Sequence, residues 1–171
     1  KNLVLTGMMG VGKSTVGKNL AKKLKLKFVD IDQIIEAQEE KTINEIFKEN
    51  GENYFRQIEK EITLNILKKN NLVIALGGGA FIEKTIRKKV ISTSISIWLD
   101  LSATKLLKRL KNVKKRPLLN KENLEASINK IYSERKKIYN ESKLRINCDL
   151  LDLNQIIDKI IKLYESSRNK I

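Results

Sequence analysis

The stretch Asn2-Leu3-Val4-Leu5-Thr6-Gly7-Met8-Met9-Gly10-Val11-Gly12-Lys13-Ser14 decides how this chain is read. Through Thr6 it is a short apolar run that ends in glycine, the pattern of a buried strand. From Lys13 onward, Val16, Leu20, Ala21 and Leu24 recur at helical spacing. Between strand and helix, residues 7–14 match Gly-x-x-x-x-Gly-Lys-Ser/Thr at every position. Glycines there let backbone N–H groups converge on phosphate oxygens, because a Cβ would resist those dihedrals. The helix that follows points its positive end at the same anion. Lys13 is placed to reach the β- and γ-phosphates of a nucleoside triphosphate, and the Ser14 hydroxyl to ligate Mg²⁺. The competing reading is a glycine-rich turn with an incidental Lys-Ser. The strand–loop–helix context weighs against it.

Outward from that loop, strand and helix signals alternate. Phe28-Val29-Asp30 reads as a second strand. Thr42-Ile43-Asn44-Glu45 has capping-box spacing, and Gly51 is placed to stop the helix it opens. A further helix carries Phe55, Ile58, Ile62 and Ile66. Leu72-Val73-Ile74-Ala75-Leu76, Ile95-Ser96-Ile97-Trp98-Leu99 and Leu144-Arg145-Ile146-Asn147-Cys148 supply strands three to five, and a last helix spans about 154–168. Such alternation predicts a three-layer α/β/α fold, a five-stranded parallel sheet with right-handed crossovers. No repeat, linker or domain boundary is visible, so residues 1–171 are read as one domain.

Composition narrows the chemistry. The chain has no histidine, which excludes Ser-His-Asp and Cys-His nucleophiles, His-Glu-x-x-His metal sites and histidine phosphotransfer. Catalysis must run on carboxylates, Lys, Arg, backbone amides and a bound metal. The formal charge of +15 raises the question of a nucleic-acid surface. However, the lysines are spread over successive helices rather than one stripe, and aromatic residues are only 5% of the chain, so base-stacking platforms are scarce. No nucleic-acid partner is expected; a basic surface also steers anionic substrates. No apolar run approaches the ~20 residues of a membrane span. Cys148 cannot form an internal disulfide and reads as a small buried hydrophobe. No secretory signal pattern is read near Lys1, and a cytoplasmic protein is expected. A monomer is expected too, because no surplus apolar helix face is evident.

Several other residues stand out. Strand alternation places Asp30 and Asp32 on one side, past the C-terminal edge where ligands bind in open α/β sheets. One carboxylate near Mg²⁺ and one near an acceptor hydroxyl suits phosphoryl transfer; capping of the next helix is the alternative. Gly77-Gly78-Gly79 after strand three suggests close backbone approach by a ligand, against a loose turn. Arg135 lies in the apolar stripe Ile128, Ile131, Tyr132, Ile138, Tyr139, where a guanidinium needs an anion, from a ligand or an acidic side chain. Arg56, read alone, is best explained by an i,i+3 pair with Glu59. Arg116 precedes the chain's only proline in a Lys- and Asn-rich segment at about 111–123. That segment has the character of a mobile lid supplying transition-state charge, or of a plain basic loop.

Taken together, GMMGVGKST, the Asp30-Ile31-Asp32 pair, GENYFRQIE from Gly51, LGGGA from Leu76 and RPLL from Arg116 resemble the shikimate kinases in order and spacing, from Asn2 to about Cys148. The resemblance implies a nucleoside-monophosphate-kinase-like fold with a substrate-binding helical segment at about 31–60 and a lid. It implies transfer of the γ-phosphate of ATP to the 3-hydroxyl of shikimate, with Mg²⁺, on the route to chorismate. By the same resemblance, Gly10, Val11, Gly12, Lys13, Ser14 and Thr15 hold the phosphates, and Arg109 covers adenine. Lys13, Asp32 and Arg116 are the catalytic positions: Arg116 approaches the transferred phosphate, and Asp32 holds ring hydroxyls or accepts the proton. Asp30 meets Mg²⁺ through water. Arg56 and Arg135 grip the carboxylate, Gly78 and Gly79 touch the substrate through backbone, and Ile43, Phe47 and Phe55 line its pocket or pack the core. Within this pattern Arg56 is read as a ligand residue. One departure is that residues 147–151 lack an arginine found in many members, so adenine recognition there is expected to rest on backbone contacts. Kinases of gluconate or other small molecules share the loop and lid but have less use for two carboxylate-directed arginines. A nucleoside-monophosphate kinase needs an arginine-rich acceptor pocket that is not found. A silent basic nucleic-acid-binding or regulatory module would have no use for Lys13, Ser14, Asp30, Asp32 and Arg116 together.

Overall fold

The computed structural model describes residues 1–111 and 123–168. Five strands form one parallel sheet in the order β2-β3-β1-β4-β5: β1 (Asn2–Thr6), β2 (Lys27–Asp30), β3 (Leu72–Ala75), β4 (Ser94–Asp100) and β5 (Leu144–Asn147). The helices are α1 (Lys13–Leu24), α2 (Ile31–Glu39), α3 (Ile43–Ile66), α4 (Lys84–Thr93), α5 (Ala103–Leu110), α6 (Leu124–Tyr139) and α7 (Leu153–Arg168), with a 3₁₀ turn at Ala80–Ile82. The three-layer parallel fold expected from the sequence is the fold observed.

The central strand explains why both faces are covered. Leu3, Val4 and Leu5 alternate across the sheet and are all fully buried, so each face has its own apolar layer. The α1 helix packs on one face against β1, β2 and β3 and also touches α7. The chain leaves β1 toward β2 and leaves β3 toward β4, in opposite directions along the sheet. With right-handed crossovers these two connections fall on opposite faces, which opens a crevice beyond the C-terminal ends of β1 and β3.

Register sets what faces that crevice. Leu5 lies opposite Ala75, and Asp30 also lies opposite Ala75. Three strands therefore end almost level, and the loops at residues 7–12 and 76–79 meet the first turn of α2, residues 31–32, at one edge.

The capping box at Thr42 and Glu45 forms as expected. Gly51 interrupts α3 with φ 82 and ψ 172, so two helical stretches meet at a kink there. Only glycine adopts that backbone readily, and it lets the second stretch turn Phe55, Ile58 and Ile62 into the core. One expectation needs correction. Asp30 and Asp32 do not share a strand face, because β2 ends at Asp30 and Asp32 already belongs to the first turn of α2.

A Cβ at Gly51 would meet nothing within 4 Å, so substitution there tests backbone strain alone. Gly51→Ala is expected to lower unfolding free energy by about 1–2 kcal/mol in urea melts; unchanged stability would contradict the kink's dependence on glycine.

Candidate active site

The glycine-rich loop leads into α1 through Gly12, which has φ 100 and is the helix's N-cap without a side-chain cap bond. The amides at that end therefore have no capping side chain to satisfy them and are available to an anion. Lys13 is 9% exposed, and its Nζ donates to the Gly7 and Met8 carbonyls at 2.8 and 2.9 Å. The ammonium is thus folded over the loop it serves. The Ser14 hydroxyl donates to Asp30 Oδ2, while Asp30 Oδ1 accepts from the amides of Asp32 (3.1 Å) and Gln33 (3.4 Å). The capping alternative is therefore realised at Asp30, which also holds Ser14. Thr15 is exposed on the same turn. From α5, Arg109 Nη1 donates to the Val11 carbonyl at 2.9 Å and lies over the loop near Gly10.

The second half of the site is built on the triple glycine, where each glycine makes room for a different group. A Cβ on Gly77 would sit 2.6 Å from Glu59 Oε1 and 2.8 Å from Asp32 Oδ1. On Gly78 it would press on the Met9 amide at 3.0 Å, and on Gly79 it would strike Arg56 Nη2 at 2.5 Å. The close approach foreseen at this turn is thus first an approach by the chain's own charged groups. Arg56 Nη1 bonds Glu59 Oε2 at 2.7 Å, and its guanidinium lies 5.2 Å from the Phe55 ring centroid. Phe55 in turn packs on Phe47, centroids 4.8 Å apart, with Ile43 also against the core. The i,i+3 pair exists, and it holds Arg56 against the glycine turn at Gly79.

Arg135 reaches the same place from α6. Its Nη1 is buried and has no hydrogen-bond partner among the described residues. Its charge is felt by Glu59 and by Tyr139, whose hydroxyl donates to the Gly78 carbonyl. Burial pushes the Tyr139 hydroxyl's pKa up, and the Arg135 guanidinium opposes that rise. One cavity of about 170 Å³ joins the halves, with Gly12, Lys13 and Ser14 on one wall and Asp30, Asp32 and Gly78 on the other. Arg116 and nearly all of the expected lid lie outside the described residues.

Glu59 was not foreseen as part of the site. Its side chain is only 2% exposed, and Oε1 has no hydrogen-bond partner among the described residues. Burial holds its carboxyl above the usual range; Arg56 opposes that, and the Asp32 charge adds to it. The available signal was a carboxylate beside Ile58 on the apolar stripe that also carries Phe55 and Ile62. A second unforeseen cluster closes β4, where Asp100 accepts from Arg145 (Nη2, 2.6 Å) and from the Tyr132 hydroxyl (3.0 Å). Burial, and then the bond to Asp100, push the Tyr132 pKa up to about 12. Cys148 is buried, and burial pushes its thiol up to about 11, in keeping with a structural thiol.

A glycine-rich loop at the head of a parallel sheet, facing Asp30, Asp32 and Gly78 across one cavity, defines a P-loop phosphotransferase. The family model described as shikimate kinase matches residues 9–165, and the chain belongs to the shikimate kinase family. A shikimate kinase of Sulfurihydrogenibium sp. (strain YO3AOP1) is 42% identical over 161 residues, covering 94% of this chain and 96% of that protein. One of Thermodesulfovibrio yellowstonii is 39% identical, covering 99% and 98%. Among solved structures, shikimate kinase from Acinetobacter baumannii in complex with shikimate superposes with a TM-score of 0.93 at 32% identity, covering 97% of this chain and 93% of that one. A deoxyadenosine kinase from M. mycoides, at 18% identity and a TM-score of 0.60, shares the fold alone.

The Glu59 shift has a definite sign. Its folded pKa is raised above the ordinary 4.5, so the folded state binds its proton more tightly than the unfolded one. This group favours folding most below the unfolded pKa, and that contribution is lost as pH rises through the folded value. Glu59→Gln is expected to flatten that part of the fall in Tm as pH rises from about 4.5 upward. Identical slopes for variant and parent would contradict the buried, shifted carboxyl.

Proposed function

We propose that this chain transfers the γ-phosphate of ATP to the 3-hydroxyl of shikimate, giving shikimate 3-phosphate and ADP. The observation that carries the reading is that loop and acceptor wall share one cavity, so donor phosphate and acceptor hydroxyl can meet without water between them.

The roles follow from position and charge. Gly10, Val11, Gly12 and Thr15 wrap the phosphates, with the α1 N-terminus behind them. Lys13 leaves its two carbonyl partners to neutralise charge on the β- and γ-phosphates. Arg109 covers adenine. Ser14 and Asp30 offer adjacent hard oxygens, and among the described residues no cluster of three or more His, Cys, Asp or Glu could hold an ion by itself. That donor set suits Mg²⁺, which takes one or two protein oxygens and leaves the rest of its shell to phosphates and water. Bound there, with Asp30 acting through water, the ion supplies charge neutralisation at the transferring phosphate.

On the acceptor side, Asp32 orients the hydroxyl and is placed to take its proton. Arg56 and Arg135 hold the carboxylate, and the Gly78 and Gly79 backbone borders the ring. Arg135 carries the stronger physical argument, since its buried Nη1 has no hydrogen-bond partner among the described residues, which is costly unless an anion arrives. For Arg116 the support is the resemblance of the RPLL segment. The same reading has the whole chain, with its helical segment and lid, act as one monomeric cytoplasmic unit without nucleic acid. No described helix is long and apolar enough to cross a membrane.

Coupled ADP release under Mg·ATP with shikimate, gluconate and nucleoside monophosphates is expected to respond to shikimate alone. A response to gluconate or a nucleotide in its place would overturn the assignment. Lys13→Ala is expected to lower kcat by about 10²–10³-fold. Arg56→Ala and Arg135→Ala should each raise the shikimate KM by about 10-fold or more with the ATP KM unchanged; an unchanged shikimate KM in both would move the carboxylate site elsewhere.

A further inference from the structure

Tyr132, Arg135 and Tyr139 lie one helical turn apart in succession on the same side of α6. Each tyrosine hydroxyl is committed to a different part of the fold. Tyr132 donates to Asp100 Oδ1 at 3.0 Å, and Tyr139 donates to the Gly78 carbonyl. Arg135 sits between these two attachments.

The first attachment point is rigid. Asp100 ends β4, is 5% exposed, and has its other oxygen held by Arg145 through Nε at 3.0 Å and Nη2 at 2.6 Å. Arg145 lies over the Trp98 ring at 4.7 Å, and Trp98 is 6.0 Å from the Tyr139 ring. The contacts thus close a circuit from Tyr132 through Asp100, Arg145 and Trp98 to Tyr139, with α6 as its remaining side. Arg145 already neutralises Asp100, so the Tyr132 bond is not needed to make that buried charge tolerable. What it adds is a tie between helix and sheet. The tie falls at mid-helix, one turn before Arg135, on a helix whose N-cap residue Asn123 makes no side-chain cap bond.

We propose that Tyr132 is a positioning residue for Arg135: through Asp100 it fixes the middle of α6 while Tyr139 fixes its C-terminal end, so the guanidinium between them meets the acceptor's carboxylate already aimed. This rests on the assignment of Arg135 to that carboxylate. A guanidinium held between two fixed points gives up little freedom on binding, whereas one on a loosely docked helix must be ordered by the ligand. Tyr132 touches neither substrate and acts only through the helix.

Tyr132→Phe removes one oxygen, keeps the ring, and leaves both Arg145 bonds to Asp100. It is expected to raise the shikimate KM about 5-fold with kcat and the ATP KM unchanged. Trp98, the chain's one tryptophan, sits in the circuit and gives the shikimate Kd directly by fluorescence titration. That measurement, made well below the variant's Tm, remains readable if the substitution also lowers stability, and the same factor is expected. In a double-mutant cycle, Tyr132→Phe should add nothing once Arg135→Ala is in place. If Arg135→Ala weakens shikimate binding and Tyr132→Phe does not, the tether is refuted and the carboxylate assignment stands. If Tyr132→Phe costs the same factor with and without Arg135, it acts by another route and the proposal is overturned. If Arg135→Ala itself leaves shikimate binding unchanged, the underlying assignment fails and the tether's purpose goes with it.

Discussion

The site depends on how one carboxylate divides its two oxygens. Asp30 spends Oδ1 on the first amides of α2 and Oδ2 on the Ser14 hydroxyl at the start of α1. The first bond ends β2 and sends the chain into α2, which carries Asp32 toward the glycine turn. The second ties that turn of chain to the phosphate-binding loop. A carboxylate at a helix N-terminus is favoured by the helix's partial positive charge, so the cap and the site ask for the same residue. Donor and acceptor walls are held together by an element that also terminates a strand.

Around that junction, the acceptor half is an arrangement of charge with little water to screen it. Arg56 pairs with a carboxylate that is almost fully buried, and Gly77 and Gly79 are the residues whose missing Cβ atoms let that pair and Asp32 lie flat against the turn. Arg135 closes the arrangement from α6, with a buried nitrogen lacking a partner among the described residues. Glu59 already answers Arg56, so the capacity left for one more anion lies at the buried Arg135 nitrogen, and an acidic sugar-like acceptor brings that charge. The family to which the chain belongs fits that capacity.

Much of the fold was legible because its signals are local. The β1–loop–α1 unit, the Thr42 capping box and the Gly51 stop are each specified within a few residues, and each appears where the pattern put it. Strand alternation places Asp32 beside Asp30 only by running two residues past the end of β2; what ends the strand is a side-chain bond that no periodicity reports. Arg56 was legible in two incompatible ways, as partner of Glu59 or as a ligand residue. In the structure the pair forms, and it leaves the guanidinium at the edge of the acceptor wall. Glu59 was missed because its burial comes from α3 packing on a glycine turn far along the chain. The Tyr132–Asp100–Arg145 cluster spans 32 and 45 residues of sequence and has no local signature at all.

The most direct test of the account is a crystal structure of this chain with ADP, Mg²⁺ and shikimate. The account predicts the shikimate carboxylate between Arg56 and Arg135, with its 3-hydroxyl within hydrogen-bond reach of Asp32 and facing the ADP β-phosphate across Lys13. A carboxylate bound away from both arginines, or a 3-hydroxyl turned from the phosphate loop, would contradict it.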